Sequence, residues 1–243
     1  MATYVTLINQ LLRRLNEVTL DTAGDGFDTV RNVQALAKDA INNSIRNILQ
    51  TGQEWPFLKN TYTQTLTAGT RQYSFPADFA SVDWDTFYIK ELGAATNTPS
   101  YLPTISFEEY TQRYRGLDDQ ADSGSGISAP QRIYQTYESK FGVTPVPDNS
   151  YEIEYVYWSF PSDLSLYNDT CVIPDRFNHV VIDGAMMYMM RFRSNEQSAA
   201  MHQGNFENGI KSMRRVLIDE PLRIRSTVVE RNNSSNAILG RVS

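Results

Sequence analysis

A chain of 243 residues, 41% hydrophobic and 21% charged, is long enough to bury a sizeable core and too apolar to be disordered throughout. Its single cysteine, Cys171, excludes an internal disulfide framework and reads as a small core residue, and no apolar run reaches the length of a membrane span. A net charge of −6 argues against a protein that grips nucleic acid broadly.

The first predicted element is a helix from about Tyr4 to Val18. Val5, Ile8, Leu11, Leu12 and Leu15 recur there at helical spacing, while Arg13, Arg14 and Glu17 take the other face. Without a basic start and an apolar block, this opening reads as an amphipathic helix and not a signal peptide, so synthesis in the cytoplasm of the producing cell is expected. Asp21 to Asp28, with two glycines and three aspartates, is a loop. A second helix is expected from about Thr29 to Gln50, capped by Asp28 or Thr29 and ended near Gly52. Its stripe runs through Val30, Val33, Ala37, Ala40, Ile41, Ile45, Ile48 and Leu49.

From Glu54 aromatic and β-branched residues rise and turn residues recur. Strands are expected at Thr61 to Thr67, Arg71 to Phe75 and Ser81 to Lys90. Ser106-Phe107-Glu108-Glu109 matches a capping box and predicts a short helix to Tyr114. Residues 116–130, rich in glycine, serine and aspartate, read as a mobile surface loop. Strands resume at Gln131 to Glu138 and Lys140 to Val143, and the strongest runs from Tyr151 to Trp158. There Tyr151, Ile153, Tyr155 and Tyr157 face one side, and Glu152, Glu154 and Val156 the other.

Helices return after Pro174. Phe177 to Arg193 is apolar nearly all round, so it has to be covered on several sides. A second capping box at Ser194 to Gln197 opens a last helix to about Leu217, striped by Phe206, Ile210, Met213 and Leu217. Residues 219–243 lack helical periodicity and read as an extended tail. Residues 211–243 carry seven basic and three acidic side chains, a net +4 that leaves −10 on the rest. Such a segment either docks on an acidic partner or forms a solvated helix end with a loose terminus. The order predicts an α+β fold: a bundle of four long helices, 1–53 with 174–218, an inserted antiparallel, sandwich-like β-rich domain, 54–173, and the tail.

The catalytic inventory is thin. His179 and His202 carry no local signature, and there is no nucleophile elbow, phosphate loop or dinucleotide fingerprint. Cysteine and histidine are too few for structural zinc, and Asp21, Asp25 and Asp28 lack the spacing of a calcium loop. Glu108/Glu109 and Asp118/Asp119 are carboxylate pairs, as glycoside cleavage requires, but they read better as a dipole-favourable helix start and a solvated loop. Tyr110, Tyr114, Tyr134, Tyr137, Tyr155 and Tyr157 could stack sugars or bases, or simply fill strands and interfaces. No catalytic, cofactor or metal residue is therefore assigned.

One ordered series of motifs stands out. Glu54-Trp55-Pro56-Phe57-Leu58 follows the second helix, and Leu66 to Phe79 contains Ala68-Gly69-Thr70-Arg71 and Phe75-Pro76-Ala77-Asp78. Pro145-Val146-Pro147-Asp148 then precedes Tyr151 to Tyr155, and Pro161-Ser162-Asp163-Leu164 leads to Ile173-Pro174 and the Met-rich helix. This succession, from about Val30 to Leu217, resembles the head-to-tail adaptors (connector, or tail tubular A, proteins) of short-tailed bacteriophages. The resemblance implies a structural virion protein and no enzyme: a ring, usually of twelve copies, beneath the portal protein and above the next tail component. It implies helical packing around a channel through which DNA passes without specific binding, and a tail that reaches the portal. Leu222, Arg223, Ile224, Arg225, Val228, Val229, Ile238 and Leu239 are the expected portal-docking residues. A virion-associated cell-wall glycan hydrolase and a glycan-binding tail module are the alternatives.

Overall fold

The computed structural model describes residues 1–20, 27, 30, 32–51, 54–93, 98–119, 126–136 and 139–218. Helix α1 (Tyr4–Arg14) buries Tyr4, Val5, Leu7, Ile8, Leu11 and Leu12. It stops four residues short of the sequence expectation because Asn16 takes a left-handed conformation, φ 56°. Glu17 N–H then donates to Leu12 O at 2.9 Å and Asn16 N–H to Arg13 O at 3.3 Å, the two bonds of a Schellman motif. Helix α2 (Val33–Leu49) starts later than the sequence suggested, with Asn32 at its N-terminal boundary. The expected caps Asp28 and Thr29, the calcium-like Asp21 and Asp25, and Gly52 lie outside the described residues.

Helices α5 (Asn178–Phe192) and α6 (Glu196–Leu217) form an antiparallel hairpin: Gly184 lies against Phe206 and Gly209 against Val180. A second Schellman motif ends α5, with Ser194 left-handed and Asn195 N–H bonded to Met190 O. The cap of α6 is therefore Asn195, whose Oδ1 accepts from Ser198 N–H at 3.1 Å, and not Ser194.

A bundle of four long helices is not what forms. The helices are 11, 17, 15 and 22 residues long, and α1, α2 and α6 are arranged around α5. The all-round apolarity of α5 is the reason, since one helix with several greasy faces becomes a hub. The core around it joins Leu7, Ile8, Ile41 and Trp55 from the first part of the chain to Ile173, Val181 and Met213 from the last.

Between these helices the chain builds two sheets. The first has the order β1 (Lys59–Leu66), β9 (Tyr151–Ser159), β4 (Tyr88–Glu91), β5 (Ser100–Tyr101), with β3 (Phe79–Val82) also on β9. The second runs β2 (Gln72–Ser74), β8 (Lys140–Thr144), β7 (Arg132–Gln135), β6 (Thr104–Ile105). One pair, β6 with β7, is parallel, which corrects the all-antiparallel expectation. The expected strand from Ser81 to Lys90 breaks in two at a 3-10 turn, Trp84–Thr86, because the Asp83 carboxylate accepts from Asp85 N–H. The sheets share a core in which Phe87 stacks on Tyr155 at 4.7 Å, flanked by Phe75 and Phe141.

The stretch 116–130 is not simply a loop. Helix α3 (Phe107–Glu109), capped by Ser106 Oγ accepting from Glu109 N–H, runs through a π turn (Tyr110–Tyr114) into α4 (Arg115–Asp118). Asp118 is fully buried, and Ile127 bridges to Val146.

Candidate assembly surface

The outer helix α6 is long and barely buried. Of its 22 residues only Ala199, Phe206 and Met213 are buried, one every seventh position, a narrow seam against α5. The close approach depends on two glycines. A Cβ on Gly184 would lie 2.2 Å from Ser44 Oγ and 2.7 Å from the Phe206 ring, and one on Gly209 would lie 2.8 Å from Val180. Ser44 Oγ itself donates to Val181 O at 2.8 Å, tying α2 into the same contact. The opposite face of α6 is open to solvent, with Met201 58% exposed and Val216 55%; Phe192, at the end of α5, is 60% exposed.

Charges stitch this unit together at its rim. Asp183 on α5 accepts from Arg14 on α1 at 3.0 Å and sits 3.5 Å from His202 Nδ1 on α6. Arg193 pairs with Glu17, and the basic residues Arg214 and Arg215 occupy the last turn of α6, where they complement the helix dipole. Residues 219–243 follow this end in the sequence. All eight residues expected to dock on the portal lie outside the described residues.

A groove of about 420 Å³ separates α2 from the segment Phe160–Val172. Its wall is fixed by Asn42, whose Nδ2 donates to Leu164 O at 3.0 Å while Oδ1 accepts from Leu164 N–H at 3.2 Å. Arg46 and Asp163 pair at the rim. Asp169 closes the loop below, accepting from Ser165 and Leu166 N–H at 2.7 Å each, and these backbone bonds hold its carboxyl below the usual range. Cys171 is buried beside the groove, and burial pushes its thiol up.

The candidate chemical groups do not converge. His179 Nδ1 lies 3.1 Å from Arg176 O, and Glu109 pairs with Arg113. Of the other carboxylate pair, Asp119 accepts from Arg71 at 3.0 Å while Asp118 is shut inside, accepting from Thr144 Oγ1 at 3.2 Å. Burial raises the Asp118 carboxyl against that bond and the charge of Arg71. No cluster of three potential metal ligands occurs among the described residues. The tyrosines form no exposed stacking face: Tyr134 and Tyr155 are fully buried, Tyr110 stacks on Tyr134 at 3.7 Å, and Tyr157 donates to Asp78. Tyr137 lies outside the described residues.

Sequence reasoning missed Asn42, the burial of Asp118 and the glycine contacts, because each depends on residues far away in the chain. The outer face of the first sheet was visible in the alternation of β9: Glu152 and Glu154 point outward, and Glu152 is met by Lys90. No curated protein matches the chain. A family model described as SU10 adaptor protein matches residues 2–228. The chain therefore belongs to the SU10 adaptor protein family of phage head–tail adaptors.

Proposed function

We propose that the protein is a structural ring subunit of the phage neck that docks under the portal, continues the DNA channel and seats the next tail component. The observation that carries this reading is the family match across residues 2–228, which spans both the helices and the sheets. Assembly into a virion with other head and tail components follows from the family. The ring of about twelve copies and the kinship with tail tubular A proteins of short-tailed phages rest on the motif series described above. A thin seam under α6 and an exposed Phe192 and Met201 fit a subunit whose helical surface is meant for neighbours.

The division of labour follows the chain. The helical parts, 1–53 and 174–218, pack against sister copies; the β-rich part, 54–173, faces the tail; and residues 219–243 reach the portal through Leu222 to Val229 and Ile238-Leu239. An acidic body suits a channel from which DNA must slide during ejection, because a basic lumen would hold phosphates by counterion release. The protein acts without turnover.

The test is assembly. Full-length protein mixed with purified portal is expected to give portal-capping rings in negative-stain images. Deleting Leu222 to Ser243 is expected to leave a folded subunit that no longer attaches. Unchanged attachment by the truncated chain would refute the role of the tail, and zymography without cell-wall clearing separates this reading from a hydrolase.

A further inference from the structure

The second sheet has two faces. Ile133, Phe141 and Val143 belong to the core shared by the sheets. On the other face Tyr134 pairs across from Gly142, where a Cβ would come 2.1 Å from the Tyr134 ring, and Arg132 pairs across from Thr144. Helix α3, the π turn and α4 lie over this side. The π turn interrupts the α-helical ladder and leaves two short pieces, and a helix so short is marginal by itself. Its order therefore depends on what holds it to the sheet. Among the described residues these are the Tyr110 ring on Tyr134, Arg132 over the Tyr114 ring at 5.6 Å, the surface pair Arg71–Asp119, and Asp118.

We propose that residues 107–119 form a pH-gated strap on the second sheet, closed with Asp118 protonated and released as Asp118 ionises. A buried carboxyl is accepted more cheaply as the neutral acid than as the anion. Asp118 is fully buried; its Oδ1 accepts from Thr144 Oγ1, and its Oδ2 has no hydrogen-bond partner among the described residues. The groups facing it are Thr144 on β8, Tyr134 on β7, Tyr110 in the π turn and Arg71 just before β2. Of these four Arg71 brings the charge, and its guanidinium is committed to Asp119 at 3.0 Å. Burial outweighs these contacts and favours the proton in the closed form. Closure thus gains most below the unfolded carboxylate value of about 3.9 and loses that gain as pH rises through the folded value. Release returns the carboxylate to water and bares Tyr134 and Ile105. The opening is local, because Ile105, Tyr110 and Tyr134 form a cluster separate from the two larger cores.

Hydrogen exchange on the full-length protein tests this, with protection factors compared at about pH 5 and about pH 8 so that the intrinsic pH dependence of exchange cancels. Amides of residues 107–119 are expected to lose at least about threefold in protection at the higher pH, while those of β9 hold. Asp118→Asn is expected to remove this pH dependence. Asp119→Asn, which keeps the buried carboxyl and loses the Arg71 pair, is expected to retain it. Equal protection of residues 107–119 at both pH values in the parent protein overturns the proposal without recourse to a variant. So does a matching loss in β9, which would make the event global. Persistence of the dependence in Asp118→Asn, or its disappearance in Asp119→Asn, moves the gate to another group and overturns the proposal as well.

Discussion

Gly184 shows how one missing methyl group sets the spacing of three helices. Its Cα lets Ser44 on α2 and Phe206 on α6 meet over α5, and both neighbours are buried. Replacing Gly184 with Ala is expected to lower stability by about 1–3 kcal/mol, the usual range for overpacking a filled core, as read by urea unfolding. Asp118 presents the opposite case, a charge carried inward. Its Oδ2 has no hydrogen-bond partner among the described residues, and burial raises its pKa in the folded state. The acid form is therefore the one the fold favours. The stabilisation is fully present below the unfolded carboxylate value of about 3.9 and is lost as pH rises through the folded value. Asp118→Asn is thus expected to be more stable than the parent at pH 7, with the gap closing towards pH 4. Equal unfolding midpoints for the two proteins at both pH values would show that the carboxyl is solvated.

At the level of elements, the caps decide the lengths. Both α1 and α5 end in Schellman motifs built on a non-glycine left-handed residue, Asn16 and Ser194. Helix α6 centres its contact with α5 on three buried side chains, Ala199, Phe206 and Met213, with Ile210 and Leu217 partly buried beside them. Phe206→Ala removes the central one. A loss of about 3 kcal/mol or more is expected, with α6 amides opening to exchange well before those of β9. Simultaneous opening of α6 and β9 would mean that hairpin and sandwich melt as one unit.

Across the whole molecule, two cores divide the work of folding. One is assembled from the two ends of the chain around α5, and the other is the aromatic filling between the sheets. The flanks of the sheets are tied to α2: Trp55 Nε1 donates to Ile48 O at 3.1 Å, and Asn42 grips Leu164 from far away in the chain. A subunit built this way presents an outer helix and, among the described residues, a strand β1 paired on one side only.

Much of this was legible in local pattern. Period-two alternation marked Tyr151, Ile153, Tyr155 and Tyr157 as the inner face of the central strand, and all four are buried. The all-round apolarity of residues 178–192 announced a helix covered on several sides, the Ser106 capping box formed as expected, and the motif series pointed to the phage adaptor family. These signals are carried by neighbours in sequence, because backbone period and caps act within a few residues. The parallel pairing of β6 with β7, the burial of Asp118 and the hub arrangement around α5 were decided only in three dimensions. Each depends on partners dozens of residues distant, and the free energy of such contacts is set by what packs against what, which no local spacing encodes.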